Sequence, residues 1–466
     1  MRKKIKWLIL SGIILIAGAL LIAAVGITLS RDGNALFPDG IVRSEALTMF
    51  IILIISVPVL LIALLLALVF SKEKPSKVVA TINGINGQVN VGSAKPAQPQ
   101  EEKEEGDETR FCMLGEIEEK RDGYGHEDYN NNVTLEQLCN DFRNYAASKL
   151  KLYYDIDDIR RFIAGMGVSH ILILQGMSGT GKTSLAHAFG SYVDNQSTII
   201  PVQPMWKERT DLIGYYNEFT RKFNETLLLE KMYEANYSED MYITVLDEMN
   251  IARIEYYFAE FLSLLELPNP DERYIEVVSD KWANDPAQLK DGKIKLPANM
   301  WFIGTANNDD STFAISDKVY DRAMILNLDN KSERYVAPET EKLHISCEKF
   351  NSLVEEAIEE YGVSRRNMKR LEALDKYLIE HFHITFGNRI MKQIKTYIPV
   401  YVSCGGDELI ALDDILSKKV IRKLETQNPI YLRNAAEGLV EYINELFGND
   451  KMTLCKEYIH RLERNA

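Results

Sequence analysis

The stretch that decides the fold is "ILILQGMSGTGKTSL", residues 171–185. Its apolar run ends at a glycine-rich turn, which leads through Lys182 and Thr183 into a segment that suits a helix. The spacing G-x-x-x-x-G-K-T between a strand and a helix is typical of a phosphate-binding loop, or P-loop. Lys182 would reach the β- and γ-phosphates of a nucleoside triphosphate, and the Thr183 hydroxyl would bind Mg²⁺. The residues predicted to contact the nucleotide are Gly176, Ser178, Gly179, Thr180, Gly181, Lys182, Thr183 and Ser184.

A second strand that ends in carboxylates is predicted from "YITVLDEMN", residues 242–250. Asp247 is placed to hold the water shell of the Mg²⁺ ion, and Glu248 to orient or deprotonate an attacking water. Acidic residues after a strand are common, so this pattern does not identify a site by itself. Together with the P-loop, it predicts that Thr183 and Asp247 hold the metal and that Glu248 is catalytic.

Two further polar residues follow in an informative order. Asn307 ends the apolar run of "NMWFIGTANNDD", residues 299–310, and Arg322 immediately precedes the apolar run "AMILNL". In isolation, Asn307 would be interpreted as a turn residue and Arg322 as a surface ion-pair residue. Because they follow the P-loop and the carboxylates, we predict that Asn307 lies near the γ-phosphate. Arg322 could then reach the nucleotide of a neighbouring subunit.

Short apolar runs alternate with amphipathic segments through the middle of the chain, and the pattern beyond residue 335 is helical. This alternation predicts an α/β domain with a mostly parallel sheet. The strand candidates are "HILIL" (170–174), "STIIPV" (197–202), "MYITVL" (241–246), "NMWFIGT" (299–305) and "AMILNL" (323–328).

The first seventy residues contain two uncharged apolar stretches, residues 7–29 and 47–70. Each is long enough to cross a hydrocarbon core of roughly 30 Å as a helix. A secretory signal peptide is the alternative for the first stretch, but its length and the second equal span disfavour it. Lysine and arginine flank the outer ends of the pair, so the positive-inside rule places both termini and the bulk of the chain in the cytoplasm. The sequence therefore predicts a cell-membrane protein with two spans.

The composition argues against some classes of ligand, and it also indicates where the chain divides into segments. The net charge of −14 argues against direct nucleic-acid binding, and five scattered cysteines indicate neither a zinc site nor a disulfide framework. The predicted divisions are a transmembrane hairpin (1–70), a flexible linker (71–110), a helical adaptor (111–150), an α/β large domain (151–330), and a helical lid with C-terminal helices (331–466).

The motif set resembles that of AAA+ ATPases in the helix-2-insert branch, which contains McrB-like, MoxR-like and dynein-related proteins. The motifs are the P-loop, "DEMN", "GTAN", the "DR" before the last strand and "FGNRIMKQI", residues 386–394. The resemblance implies a five-stranded parallel core with a helical lid, and a ring, taken to be hexameric, that binds ATP and Mg²⁺ between subunits. It also implies that Asn307 is sensor 1, Arg322 a trans arginine finger and Arg389 the lid's sensor 2, which binds nucleotide.

The sequence does not decide which nucleotide the chain uses or which residues contact a client. The arginine that McrB proteins carry after the sensor asparagine is absent, which favours ATP over GTP. "NKSE", residues 330–333, departs from the guanine-reading motif of GTPases at its carboxylate. The insert of this branch corresponds to "PMWKERTDLIGYYNEFTRK", residues 204–222, which would project toward the ring pore. Its aromatic residues Trp206, Tyr215 and Tyr216 could contact a client there, or could pack against their own domain.

Three functions fit these observations. The favoured one is a membrane-anchored AAA+ ATPase that couples ATP hydrolysis in a ring to the remodelling or assembly of an unknown protein partner. The alternative is the motor of a McrBC-like restriction or defence system, acting on nucleic acid with a separately encoded nuclease and able to use GTP. A nucleotide-gated scaffold without turnover is disfavoured, because Glu248 and Arg322 would have no purpose in it.

Overall fold

The computed structural model describes residues 109–125, 128–307, 312–329 and 332–465. Both predicted membrane helices and the predicted linker up to residue 108 lie outside the described residues. Within the described ranges, no helix has the length and apolar character needed to cross a membrane.

A five-stranded sheet forms the centre of the fold, in the order β2-β5-β8-β1-β9. Every neighbouring pair in it is parallel, which confirms the predicted five-stranded parallel sheet. The strands are β1 (Ile171–Gly176), β2 (Thr198–Pro201), β5 (Tyr242–Asp247), β8 (Met300–Asn307) and β9 (Met324–Asn327).

Helices cover both faces of this sheet, because its central strands are apolar on both sides. In β1, Leu172 and Leu174 pack into one hydrophobic core, whereas Ile171 and Ile173 pack into the other. Burying each such side chain contributes about 1.5–3 kcal/mol. The helices between Leu135 and Tyr320 are α2 (Leu135–Lys149), α3 (Ile156–Val168), α4 (Lys182–Tyr192), α5 (Thr210–Ile213), α6 (Leu227–Ala235), α7 (Ile254–Tyr257), α8 (Ala259–Leu264) and α9 (Asp317–Tyr320).

Two antiparallel hairpins project from the connections between sheet strands. The first consists of β3 (Gly214–Asn217) and β4 (Lys222–Glu225), and it interrupts the helical connection between β2 and β5. The second consists of β6 (Tyr274–Glu276) and β7 (Lys293–Lys295), and it precedes β8 in the chain.

The first described segment packs against these hairpins. The Glu225 carboxylate accepts three backbone N–H bonds at the start of α1 (Met113–Glu119). Arg110 is only 1% exposed, and its guanidinium pairs with Asp285 at 2.6 Å and with Asp280 at 2.8 Å. The predicted flexible linker of residues 71–110 therefore ends at a residue that two ion pairs, to Asp280 and Asp285, fix against the second hairpin.

The C-terminal part is helical, as predicted, although its first helix begins only at Cys347. The helix α12, which carries the "FGNR" motif, packs against α3 of the large domain. The helices are α10 (Cys347–Glu360), α11 (Arg365–Phe382), α12 (Gly387–Ser403), α13 (Glu408–Lys419), α14 (Pro429–Phe447) and α15 (Thr453–Asn465); short 3-10 turns span Arg121–Gly123, Met249–Ile251, Pro270–Glu272 and Ile421–Thr426.

Candidate nucleotide-binding site

The P-loop joins the carboxyl end of β1 to the N-terminus of α4. Gly176 and Gly181 have φ angles of +145° and +95°, which side chains other than glycine rarely adopt. A Cβ at Gly176 would also lie 2.3 Å from the Leu328 carbonyl oxygen. Gly181 is the N-cap of α4 and supplies no capping side chain, so the N–H groups of the first turn are suited to an anion. Ser178, Gly179, Thr180 and Ser184, the other predicted contacts, lie in this loop and the first turn of α4.

Lys182 is buried at the base of the loop. Its Nζ donates to the carbonyl oxygens of Gly176 at 3.0 Å and Met177 at 2.7 Å. These bonds hold the ammonium group on the inner side of the loop, where it would meet the phosphates of a bound nucleotide.

The structure brings the two predicted metal ligands together. The Thr183 hydroxyl donates to Asp247 Oδ1 at 2.7 Å. A hydroxyl and a carboxylate are hard oxygen ligands of the kind that Mg²⁺ takes, with water and substrate phosphates completing its octahedron. Among the described residues, no group of three or more His, Cys, Asp or Glu could hold a metal ion. The residues present therefore fit Mg²⁺ bound with a nucleotide.

Thr305 on β8 links the two carboxylate residues, and the sequence analysis missed it. Its hydroxyl donates to Asp247 Oδ1 at 2.8 Å and accepts from the Glu248 backbone N–H at 2.9 Å. Glu248 has φ +53° and ψ +46°, a left-handed conformation that is uncommon outside glycine. The side chain of Glu248 is exposed at the carboxyl edge of the sheet, where a base must be to reach water.

Asn307, the predicted sensor, lies beside the P-loop. It ends β8 directly opposite Gly176 in the parallel register. Its backbone carbonyl accepts from Asn250 Nδ2 and from the Thr312 hydroxyl, both at 3.0 Å. Asn250 thus ties the turn after Glu248 to the sensor strand, a long-range bond that no local sequence pattern could reveal.

Arg322 lies at the amino ends of the sheet strands, whereas the P-loop lies at their carboxyl ends. Met324 of β9 lies opposite Leu172 of β1, so Arg322 is level with the residues before β1. Its backbone carbonyl accepts a hydrogen bond from the Ser169 hydroxyl at 3.1 Å. Six residue steps at about 3.3 Å separate this level from Gly176, or about 20 Å. An arginine side chain is too short to span that distance, so Arg322 cannot reach the P-loop of its own chain.

Arg389 lies beside Arg322. Gln393, one turn further along α12, donates to the Asp321 carbonyl at 3.1 Å, so α12 begins over the turn before β9. The guanidinium of Arg389 contacts Glu266 at 2.6 Å, and Glu266 also pairs with Arg322. Arg389, predicted to bind nucleotide as sensor 2, therefore lies with Arg322 at the amino ends of the sheet strands and not with the P-loop of its own chain.

The insert aromatics separate into two groups. Trp206 packs edge-on against Tyr257, and Tyr216 packs edge-on against Trp282, so both belong to the domain's own packing. Tyr215 is 54% exposed. Asn330 and Lys331 of the "NKSE" motif lie outside the described residues.

The fold and the site together define a P-loop nucleotide-binding domain. Residues 171–323 match the family model described as the AAA domain of the dynein-related subfamily. This part of the chain is therefore similar to the AAA domain, the nucleotide-binding module of AAA+ ATPases, and residues 171–323 are called the AAA domain below.

A solved Cytophaga hutchinsonii protein, described provisionally as an ATPase, is 14% identical with a TM-score of 0.43. The match covers 71% of this chain and 98% of that protein. A TM-score this low does not establish a shared fold. No curated protein matches the chain significantly.

Proposed function

We propose that this chain is a membrane-anchored AAA+ ATPase of the helix-2-insert branch, which hydrolyses ATP in an oligomeric ring to remodel or assemble a protein partner. The observation that carries the proposal is the convergence of the Thr183 hydroxyl, the Asp247 carboxylate and Glu248 next to the P-loop. The β3–β4 hairpin between β2 and β5 supports the branch assignment.

Each residue of the site has a distinct task in this reaction. Bound Mg-ATP supplies the transferable phosphoryl group and the cation that neutralises its charge. Lys182 would leave the carbonyls of the loop for the phosphates, and Thr183 and Asp247 would hold Mg²⁺. Glu248 would take a proton from the attacking water, which Asn307 would orient.

The position of Arg322 supports the proposed ring. Arg322 lies about 20 Å from the P-loop of its own chain along the strand direction. A catalytic role for it therefore requires the nucleotide of a neighbouring copy, as in an arginine finger supplied in trans. A closed ring of identical subunits, which we take to be hexameric, supplies one such contact at every interface.

A protein client is favoured over nucleic acid. The net charge of −14 opposes binding to the phosphate backbone of a nucleic acid, and the AAA domain exposes apolar side chains on its insert. Phe219, at the tip of the β3–β4 hairpin, is fully exposed, and Met205 is 82% exposed. Exposed apolar side chains grouped on a projecting insert are typical of protein-contact sites.

The membrane part of the proposal rests on residues 7–29 and 47–70 alone. With both termini cytoplasmic, the two spans would keep the ATPase at the inner face of the cell membrane. Carbonate washing of membranes tests this. The full-length chain should remain in the membrane pellet after the wash and be released only by detergent, whereas release by carbonate would contradict the two spans.

Glu248→Gln in the full-length chain tests the ATPase assignment. The amide keeps the size of the side chain but cannot accept a proton, so we expect turnover to fall by about 100-fold or more while ATP binding is retained. Glu255→Gln is the matched control and should behave as the unmodified chain. Phosphate release and binding of a fluorescent ATP analogue measure the two properties; unchanged turnover in Glu248→Gln would contradict the assignment of the base.

A further inference from the structure

Glu266 is the shared partner of two arginines from distant parts of the chain. Its Oε2 lies 2.8 Å from Arg322 Nε, and its Oε1 lies 2.6 Å from Arg389 Nη2. The side chains of Glu266, Arg322 and Arg389 are 28%, 22% and 46% exposed, so the cluster lies at the surface. Two guanidinium charges and one carboxylate charge leave one net positive charge there.

The two arginines are held by different parts of the molecule. Arg322 belongs to the AAA domain, and its Nη1 also donates to the Lys318 carbonyl at 2.9 Å. Arg389 belongs to the first turn of α12 in the C-terminal helices. Glu266, just beyond the C-terminus of α8, therefore joins the large domain to the helical part by a pair of ion pairs.

The Glu266 carboxylate in these ion pairs could be replaced by an anion that binds the two arginines more strongly. Partly exposed ion pairs are weak, because water and salt screen them. A triphosphate carries more charge than a carboxylate and offers oxygens that match the donor geometry of two guanidinium groups. Because the P-loop of the same chain is about 20 Å away, a phosphate at this cluster would come from another copy.

We propose that Glu266 occupies the anion position between Arg322 and Arg389 in the isolated subunit, and is displaced when both arginines engage the triphosphate of a neighbouring subunit. The carboxylate keeps the two guanidinium groups together and competes with the phosphate, so it sets how readily subunits associate on ATP. Glu266 is thus a positioning residue, and this inference rests on the proposed ring-shared ATP site.

Glu266→Gln in the full-length chain tests the proposal, with Glu260→Gln as the matched control. Glu260 lies on α8 and pairs with Arg209 of the insert at 2.9 Å. Turnover is measured against protein concentration, and association is measured by sedimentation with a non-hydrolysable ATP analogue. We expect Glu266→Gln to lower the midpoint concentration of both curves about three- to tenfold, with kcat at saturating protein changed less than twofold. Glu260→Gln should leave both midpoints where they are.

A second set of variants separates competition from a structural role. In an Arg389→Ala background, Glu266 can no longer compete with the phosphate for Arg389. Glu266→Gln should therefore shift the midpoint concentration by less than half as much, on a logarithmic scale, as it does in the unmodified background. An unchanged or higher midpoint in Glu266→Gln, or a loss of kcat, would overturn the role of Glu266 while leaving ATP-dependent association of the unmodified chain intact. Failure of the unmodified chain to associate on ATP would overturn both this inference and the proposed function.

Discussion

At the residue scale, the site depends on a hydroxyl that the motifs do not include. Asp247 and Glu248 could be predicted because they follow an apolar run after a P-loop. Thr305 could not, because it lies inside the buried strand β8 and its role depends on register. The pairing of Leu246 with Gly304 places Thr305 beside Asp247, where one hydroxyl contacts both carboxylate residues.

Thr305→Val should lower turnover about 10- to 100-fold while nucleotide binding is retained. Valine has a similar volume, so the strand remains packed, but the Asp247 carboxylate and the Glu248 N–H both lose a partner. Thr305→Ser keeps the hydroxyl and should retain most of the activity. Steady-state phosphate release measures the effect, and equal rates for valine and threonine would show that the hydroxyl does not position the carboxylates.

At the element scale, the strands were predictable and the packing of the segments around them was not. Each sheet strand is a local apolar run, whereas Arg110 follows a charged, glycine-containing stretch that suggests a flexible chain. Its guanidinium nevertheless pairs with Asp280 and Asp285 between the strands of the second hairpin and lies over the Trp282 ring, 4.6 Å from its centroid. Composition cannot report such a contact, because the partners are about 170 positions away.

Arg110→Ala should destabilise the fold by about 3–5 kcal/mol, because Asp285, only 3% exposed, would remain as a buried charge without its partner. Asp280 is 62% exposed, so Asp280→Asn should cost less than about 1 kcal/mol. Urea unfolding followed by circular dichroism compares the two variants. Equal, small losses for both would mean that Arg110 does not fasten the first described segment to the hairpins.

At the scale of the whole molecule, the predicted site residues form two groups, one at the carboxyl ends of the sheet strands and one at their amino ends. The P-loop, Asp247, Glu248 and Asn307 meet at the carboxyl edge, whereas Arg322 and Arg389 meet at the amino edge. The order of the motifs along the chain predicts the first group, because the carboxyl ends of parallel strands lie at the same end of the sheet. It could not place Arg389, whose position depends on how α12 packs against the AAA domain. In the proposed ring, one subunit would therefore contribute its carboxyl-end residues to one ATP site and its two arginines to another.

The central claim is that a complete ATP site forms only between two copies of this chain. Glu248→Gln lacks the base but keeps Arg322, and Arg322→Ala lacks the arginine but keeps Glu248. Each variant alone should be close to inactive. When equal amounts of the two full-length variants are mixed, interfaces that combine Glu248 of one copy with Arg322 of the other should restore a measurable fraction of the unmodified turnover. A mixture no more active than the separate variants would contradict the account.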